Sequence, residues 1–129
     1  MKKLFFILLL SLLLVSVAWG QGLETFDNLP ETGSSYADGT FLGQDGSTWT
    51  YTQIRSDLDV TGNSLMLGRN RDHQANVYSG TIANGIGVLN FNYMQAFSTN
   101  VNLNVLVNDV VVGNVTSSSE QNVIKNSGD

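Results

Sequence analysis

Between Val101 and Val105 the chain alternates apolar and polar residues with a period of two, and Asn108-Asp109 then interrupts the apolar residues that continue to Val115. Val101, Leu103, Val105 and Val107 fall on one side, and Asn102 and Asn104 on the other. That period is the side-chain repeat of a β-strand, and Asn and Asp tolerate the positive φ angles of a tight two-residue turn. The segment predicts a hairpin, with residues 110–115 as the returning strand. A hairpin is marginal alone in water, so its apolar side demands further strands.

Those strands are legible upstream as short runs between turn residues. Residues 23–26 open the series, and Pro30 and Gly33 break it. Asp38-Gly39 and Asp45-Gly46 read as turns around residues 40–42. In residues 48–55, Trp49, Tyr51 and Gln53 are expected on one face and Thr48, Thr50, Thr52 and Ile54 on the other. Thr61-Gly62-Asn63 turns into residues 64–67, and Asn84-Gly85 follows a strand over residues 77–82. The longest strand is expected at residues 87–97, with Leu89, Phe91, Tyr93 and Phe97 facing a core and Asn90 and Asn92 facing away. Apolar residues at helical spacing between caps are missing after the first twenty positions. The expected fold is all-β, an antiparallel two-sheet sandwich of jelly-roll type, with a closed barrel as the alternative.

Residues 1–20 have a different character. Lys2-Lys3 precede an apolar run over residues 4–17, and Ala18-Trp19-Gly20 forms a small-x-small site before Gln21. This order predicts a secretory signal peptide, a mature chain over residues 21–129, and a place outside the cell or on its surface with no membrane attachment after cleavage. The leader takes two of the six basic residues, leaving four against eleven acidic ones and a charge of −7. Binding to nucleic-acid phosphates or anionic lipid needs clustered cations, so both are expected to be absent as partners. Cysteine is missing altogether, which excludes disulfides, thiol catalysis and cysteinyl zinc sites.

The residues offer little for a reaction. His73 is the sole histidine, it lies in the polar loop of residues 68–74, and no Gly-x-Ser-x-Gly elbow presents a serine to it. Asp57 and Asp59 lack surroundings that could keep one carboxyl protonated for glycoside cleavage. Binding is the better-supported class. Arg69, Arg71 and His73 share one loop and could grip an acidic sugar or sulfate, because guanidinium forks match planar anions. Tyr78 is a candidate for stacking on a sugar ring, whereas Trp49, Phe91 and Tyr93 are expected in the core. Asp38 and Asp45, in their Asp-Gly turns, are candidate oxygen donors for a structural calcium ion, the one cofactor entertained. Asn114-Val115-Thr116 has the form of a glycosylation sequon.

Several short motifs recur together: Glu24-Thr25-Phe26-Asp27-Asn28-Leu29-Pro30, Ser35-Tyr36-Ala37-Asp38-Gly39-Thr40-Phe41 and Asp45-Gly46-Ser47-Thr48-Trp49. With Gly62-Asn63-Ser64-Leu65-Met66-Leu67 and the stretch from Gly85 through Phe91-Asn92-Tyr93 to Ala96-Phe97, they resemble an N-terminal β-sandwich module of bacterial exported multi-domain proteins. Such proteins can carry lamin-tail domains, extracellular endonuclease domains or type IX secretion sorting domains. The resemblance covers most of residues 23–115 and implies a module with no catalytic residues of its own. It also implies further strands after the hairpin, the last bearing an Ile-Asp-Asn-Ile-like segment. None is present here, so the sandwich is expected to be incomplete at its C-terminal end. Three functions follow as expectations: a non-catalytic module binding glycan or another extracellular polymer, the accessory segment of a secreted hydrolase such as a nuclease, or a structural spacer or adhesin repeat.

Overall fold

The computed structural model describes residues 22–69 and 71–128. The expected leader, residues 1–20, lies outside them. Eight strands run in the order β1 (Ala37–Leu42), β2 (Thr48–Arg55), β3 (Met66–Leu67), β4 (Asn76–Ser79), β5 (Asn92–Met94), β6 (Asn102–Val107), β7 (Val110–Thr116) and β8 (Ile124–Asn126), with no helix among the described residues. All strand pairs are antiparallel, and they form a four-stranded sheet and two two-stranded ribbons rather than a closed barrel.

In the four-stranded sheet β2 is central. β1 lies on one side of it; on the other, β4 pairs with its first half and β3 with its end. Phe41, Tyr51 and Ile54 are buried here, and Phe26, Leu29, Ala37, Trp49, Leu65, Leu67 and Val77 pack against them. The rings of Phe41 and Trp49 stack with centroids 6.0 Å apart, and Phe26 meets Trp49 edge-on at 6.2 Å. Trp49 therefore sits in the core as expected. Gly39 pairs with Tyr51 across β1 and β2, and a Cβ at Gly39 would come within 2.6 Å of the Tyr51 hydroxyl. The tyrosine ring occupies the space where that side chain would stand.

One expectation fails inside β2. Ile54, placed by simple alternation on the face opposite Trp49 and Tyr51, is fully buried in the same cluster as Tyr51. The register slips between Ala37 and Gly39: Gly39 faces Tyr51, whereas Ala37 faces Ile54, so β2 carries one extra residue opposite Asp38. Gln53 adopts φ +52° there, the left-handed conformation of a β-bulge. Asp38 fixes it, its Oδ1 accepting from the Gln53 backbone N–H at 2.7 Å and from Nε2 at 3.0 Å. Asp38-Gly39 is accordingly a bulge site within β1 and not a turn. Asp45-Gly46 is a turn, with Gly46 at φ +81°.

The second half differs more from expectation. The hairpin forms as predicted: Asn108 and Asp109 both have positive φ, 49° and 64°, as a type I′ turn requires. Leu103, Val105 and Val107 are half-buried, and Asn102 and Asn104 are exposed. The long strand over residues 87–97 does not form; only β5 pairs, with β8 as its neighbour. Leu89 and Phe97 are each 51% exposed instead of facing a core: no strand pairs with residues 86–90 to fix the side of Leu89, and Phe97 lies past the end of β5 near Arg55. The opening strand over residues 23–26 is likewise absent, and Phe26 bends the chain at φ 58° while its N–H donates to Glu24 Oε1 at 2.8 Å. A buried polar knot holds the base of the hairpin: Ser117 Oγ donates to Gln95 Oε1 at 2.7 Å and accepts from the Val101 N–H at 2.8 Å.

Candidate functional site

Register and burial together define the outward face of the four-stranded sheet, opposite Phe41, Trp49, Tyr51 and Val77. Thr40 and Thr50 pair across β1 and β2, and Tyr78 faces Thr50 from β4, so these three form one transverse row. Leu42 with Thr48 flanks it on one side, and Thr52 with Asn76 on the other. Tyr78 is 56% exposed on the edge strand β4, where it ends the row. None of these seven side chains is charged. The hydroxyls of Thr40, Thr48, Thr50, Thr52 and Tyr78 make no hydrogen bond to any other described residue, which leaves them free for an external partner.

Past the bulge the same face changes character. Burial of Ile54 turns Arg55 outward, beside Tyr36, which precedes Ala37. The Arg71 guanidinium lies 3.7 Å from the centroid of the Tyr36 ring, and Arg55 lies 5.6 Å from Tyr36 and 5.7 Å from Phe97. Arg55 is bound by Asp57 through Nε at 2.6 Å and through a second, shorter contact at Nη2. This pairing raises the arginine further above its usual value and holds the Asp57 carboxyl below its own. Arg69 Nη1 donates to Thr99 Oγ1 at 2.6 Å. A Cβ on Gly68 would come within 2.8 Å of both Arg71 Cγ and Tyr36 Cε1, so the stack depends on a glycine there.

The structure thus divides the candidates read from the sequence. Arg69, Arg71 and His73 are all exposed. Tyr78 stands apart from them, on the uncharged part of the face. Thr50 and Arg55 stand opposite Thr40 and the position of Tyr36, four ladder steps of β1, roughly 13 Å apart. Tyr36, Arg55 and Phe97 were missed, and so was the threonine array; the Thr-x-Thr-x-Thr spacing of residues 48–52 was the available signal.

Asp38 and Asp45 are not brought together. They lie at opposite ends of β1, Asp38 binding Gln53 and Asp45 accepting from the Ser47 N–H at 2.9 Å and its hydroxyl at 2.6 Å. These hydrogen bonds keep both carboxyls below the ordinary value of 3.8. Among the described residues no cluster of three or more His, Cys, Asp or Glu could hold a metal ion. The sequon side chain Asn114 is engaged across the hairpin, donating to Asn102 Oδ1 at 2.9 Å and Asn104 Oδ1 at 2.8 Å.

Compared with known proteins, the chain matches no family model, no curated protein and no solved structure.

Proposed function

We propose that this protein is a non-catalytic, exported binding module whose outward sheet face holds a glycan or another extracellular polymer. The observation that carries the reading is Tyr78, an exposed aromatic ring on the edge strand beside an uncharged field of unengaged hydroxyls. Apolar ring faces of sugars stack on such a residue, and the flanking threonines offer both donors and acceptors to sugar hydroxyls. Residues 1–20 supply the export signal in this reading. The four-stranded sheet forms one layer of a sandwich, and the two ribbons belong to the other.

Retention of the protein on insoluble polysaccharides tests the proposal. The unaltered protein is held by at least one of them, and Tyr78→Ala lowers its affinity about threefold to tenfold, the scale of one aromatic contact. Failure of the unaltered protein to bind any glycan defeats the reading.

A second reading, the accessory segment of a larger secreted hydrolase, draws support from a separate observation. Val88, Val110, Val111 and Val112 are 55–83% exposed, and an open groove of about 320 Å³ lined by Leu89, Phe91, Val105 and Val115 runs beside them. Apolar surface of this kind is ordinarily covered, and additional strands encoded after residue 129 would cover it and complete the sandwich. A longer chain that includes the following reading frame and resists denaturant far better supports this view; equal stability counts against it.

A further inference from the structure

We infer that the polymer is an acidic polysaccharide, bound with the face of one sugar ring on Tyr78 and an acid group on Arg71 and Arg69. This inference rests on the binding reading above and adds the ligand's charge and minimum length. All three arginines of a chain with net charge −5 converge on one end of the outward sheet face, around Tyr36, Phe97 and Thr99. So few cations gathered at one place, in a protein that is acidic elsewhere, mark a locally favourable position for an anion.

The three are not equivalent. Arg55 is neutralised by Asp57 and works as a prop, holding Tyr36 from one side. Arg71 lies over the Tyr36 ring, 3.7 Å from its centroid, and donates no hydrogen bond to another described residue, so its fork is held in place with its donors unspent. Arg69 gives one N–H to Thr99 and keeps its remaining donors. Of the carboxylates nearby, Asp38 is bound to Gln53 and Asp57 to Arg55, which leaves Asp72, exposed in the same loop, as the local competitor. A stacked guanidinium binds carboxylate or sulfate through two parallel hydrogen bonds. The span of roughly 13 Å from the Thr50–Tyr78 row to Arg55 exceeds a single sugar ring, so simultaneous contact requires an oligosaccharide of several units.

The experiment compares retention on three immobilised polymers at low and moderate salt: polygalacturonate, dextran sulfate and uncharged dextran. The unaltered protein binds at least one acidic polymer about tenfold more tightly than dextran, and added salt reduces this preference. Preference for polygalacturonate alone identifies the acid group as carboxylate, for dextran sulfate alone as sulfate, and for both as an oxyanion of either kind. The double variant Arg69→Ala/Arg71→Ala abolishes the preference while retaining the dextran affinity, which also serves as the check that it folds. Arg71→Lys, which keeps the charge but loses the planar fork, falls between. Free galacturonic acid competes far more weakly than a galacturonate oligomer. Binding to dextran with no acidic preference, or a preference that survives the double variant, overturns this inference and leaves the binding reading standing. Failure to bind any glycan removes both.

Discussion

The four-stranded sheet and the hairpin ribbon are built from similar strands but reach different states of burial. β2 carries Trp49, Tyr51 and Ile54 into a cluster with Phe41, whereas β7 presents Val110, Val111 and Val112 at 55–63% exposure. Both have sound pairing: β1 with β2 and β6 with β7 form antiparallel ladders, each interrupted by one register shift. What separates them is cover. The segment around Phe26 and Leu29 folds over one side of the sheet, and nothing described does the same for the outer valines. Backbone pairing follows from local sequence, while burial depends on what is laid across the strands.

The largest expected effect falls on the buried side of this contrast. Ile54→Ala empties a fully enclosed site and should cost about 2–5 kcal/mol in denaturant unfolding. Val112→Thr in the ribbon should stay within about 0.5 kcal/mol. Equal losses would mean that the ribbon is as well covered as the sheet. Next, Gly39→Val forces the Tyr51 ring out of its place and should cost about 1–3 kcal/mol, with near-ultraviolet dichroism reporting the displaced aromatic. Asp109→Gly relieves a left-handed non-glycine residue at the hairpin turn. It should slow amide exchange within β6 and β7 by an amount equivalent to about 0.5–1 kcal/mol, leaving exchange in β2 unchanged.

Acid should give the smallest effect. The folded chain holds Asp38, Asp45 and Asp57 below their ordinary pKa, chiefly through hydrogen bonds from Gln53, Ser47 and Arg55. A lowered folded pKa means that the unfolded chain takes up protons first. The stabilisation is therefore complete above the ordinary carboxylate value of 3.8 and is lost as pH falls through the lower folded values. Melting temperature should decline below about pH 4. Asp38→Asn should make that decline shallower by removing one of the three groups, and an unchanged slope would show that the bulge contributes nothing to it.

The same contrast explains what could be read in the chain. The hairpin was legible because its alternation and its Asn-Asp turn are both local properties, and β2 was placed at Thr48–Arg55 for the same reason. The strand over residues 87–97 was not, since an alternating pattern states which side would be buried but not whether a neighbour exists to bury it. The sequence alternation around Gln53 gave no warning of the bulge, whose cause is a carboxylate fifteen residues away in β1. At the candidate site, Arg69, Arg71 and Tyr78 were legible as residue types in a loop and a strand. Tyr36 and Phe97 were not, because only the folded chain brings them to Arg71 and Arg55.

The extra residue in β2 reaches beyond geometry, for it resets the parity of the strand. Counted without interruption, positions 49, 51, 53 and 55 would share a side, and a guanidinium would be driven among the aromatic rings while an isoleucine met water. With the count shifted by one, the greasy residue and the cation exchange sides just where the sheet ends. One surface thereby acquires a neutral zone and a cationic margin from a single unbroken strand, and deletion of Gln53 should straighten β2 while leaving the isoleucine inside and the guanidinium outside.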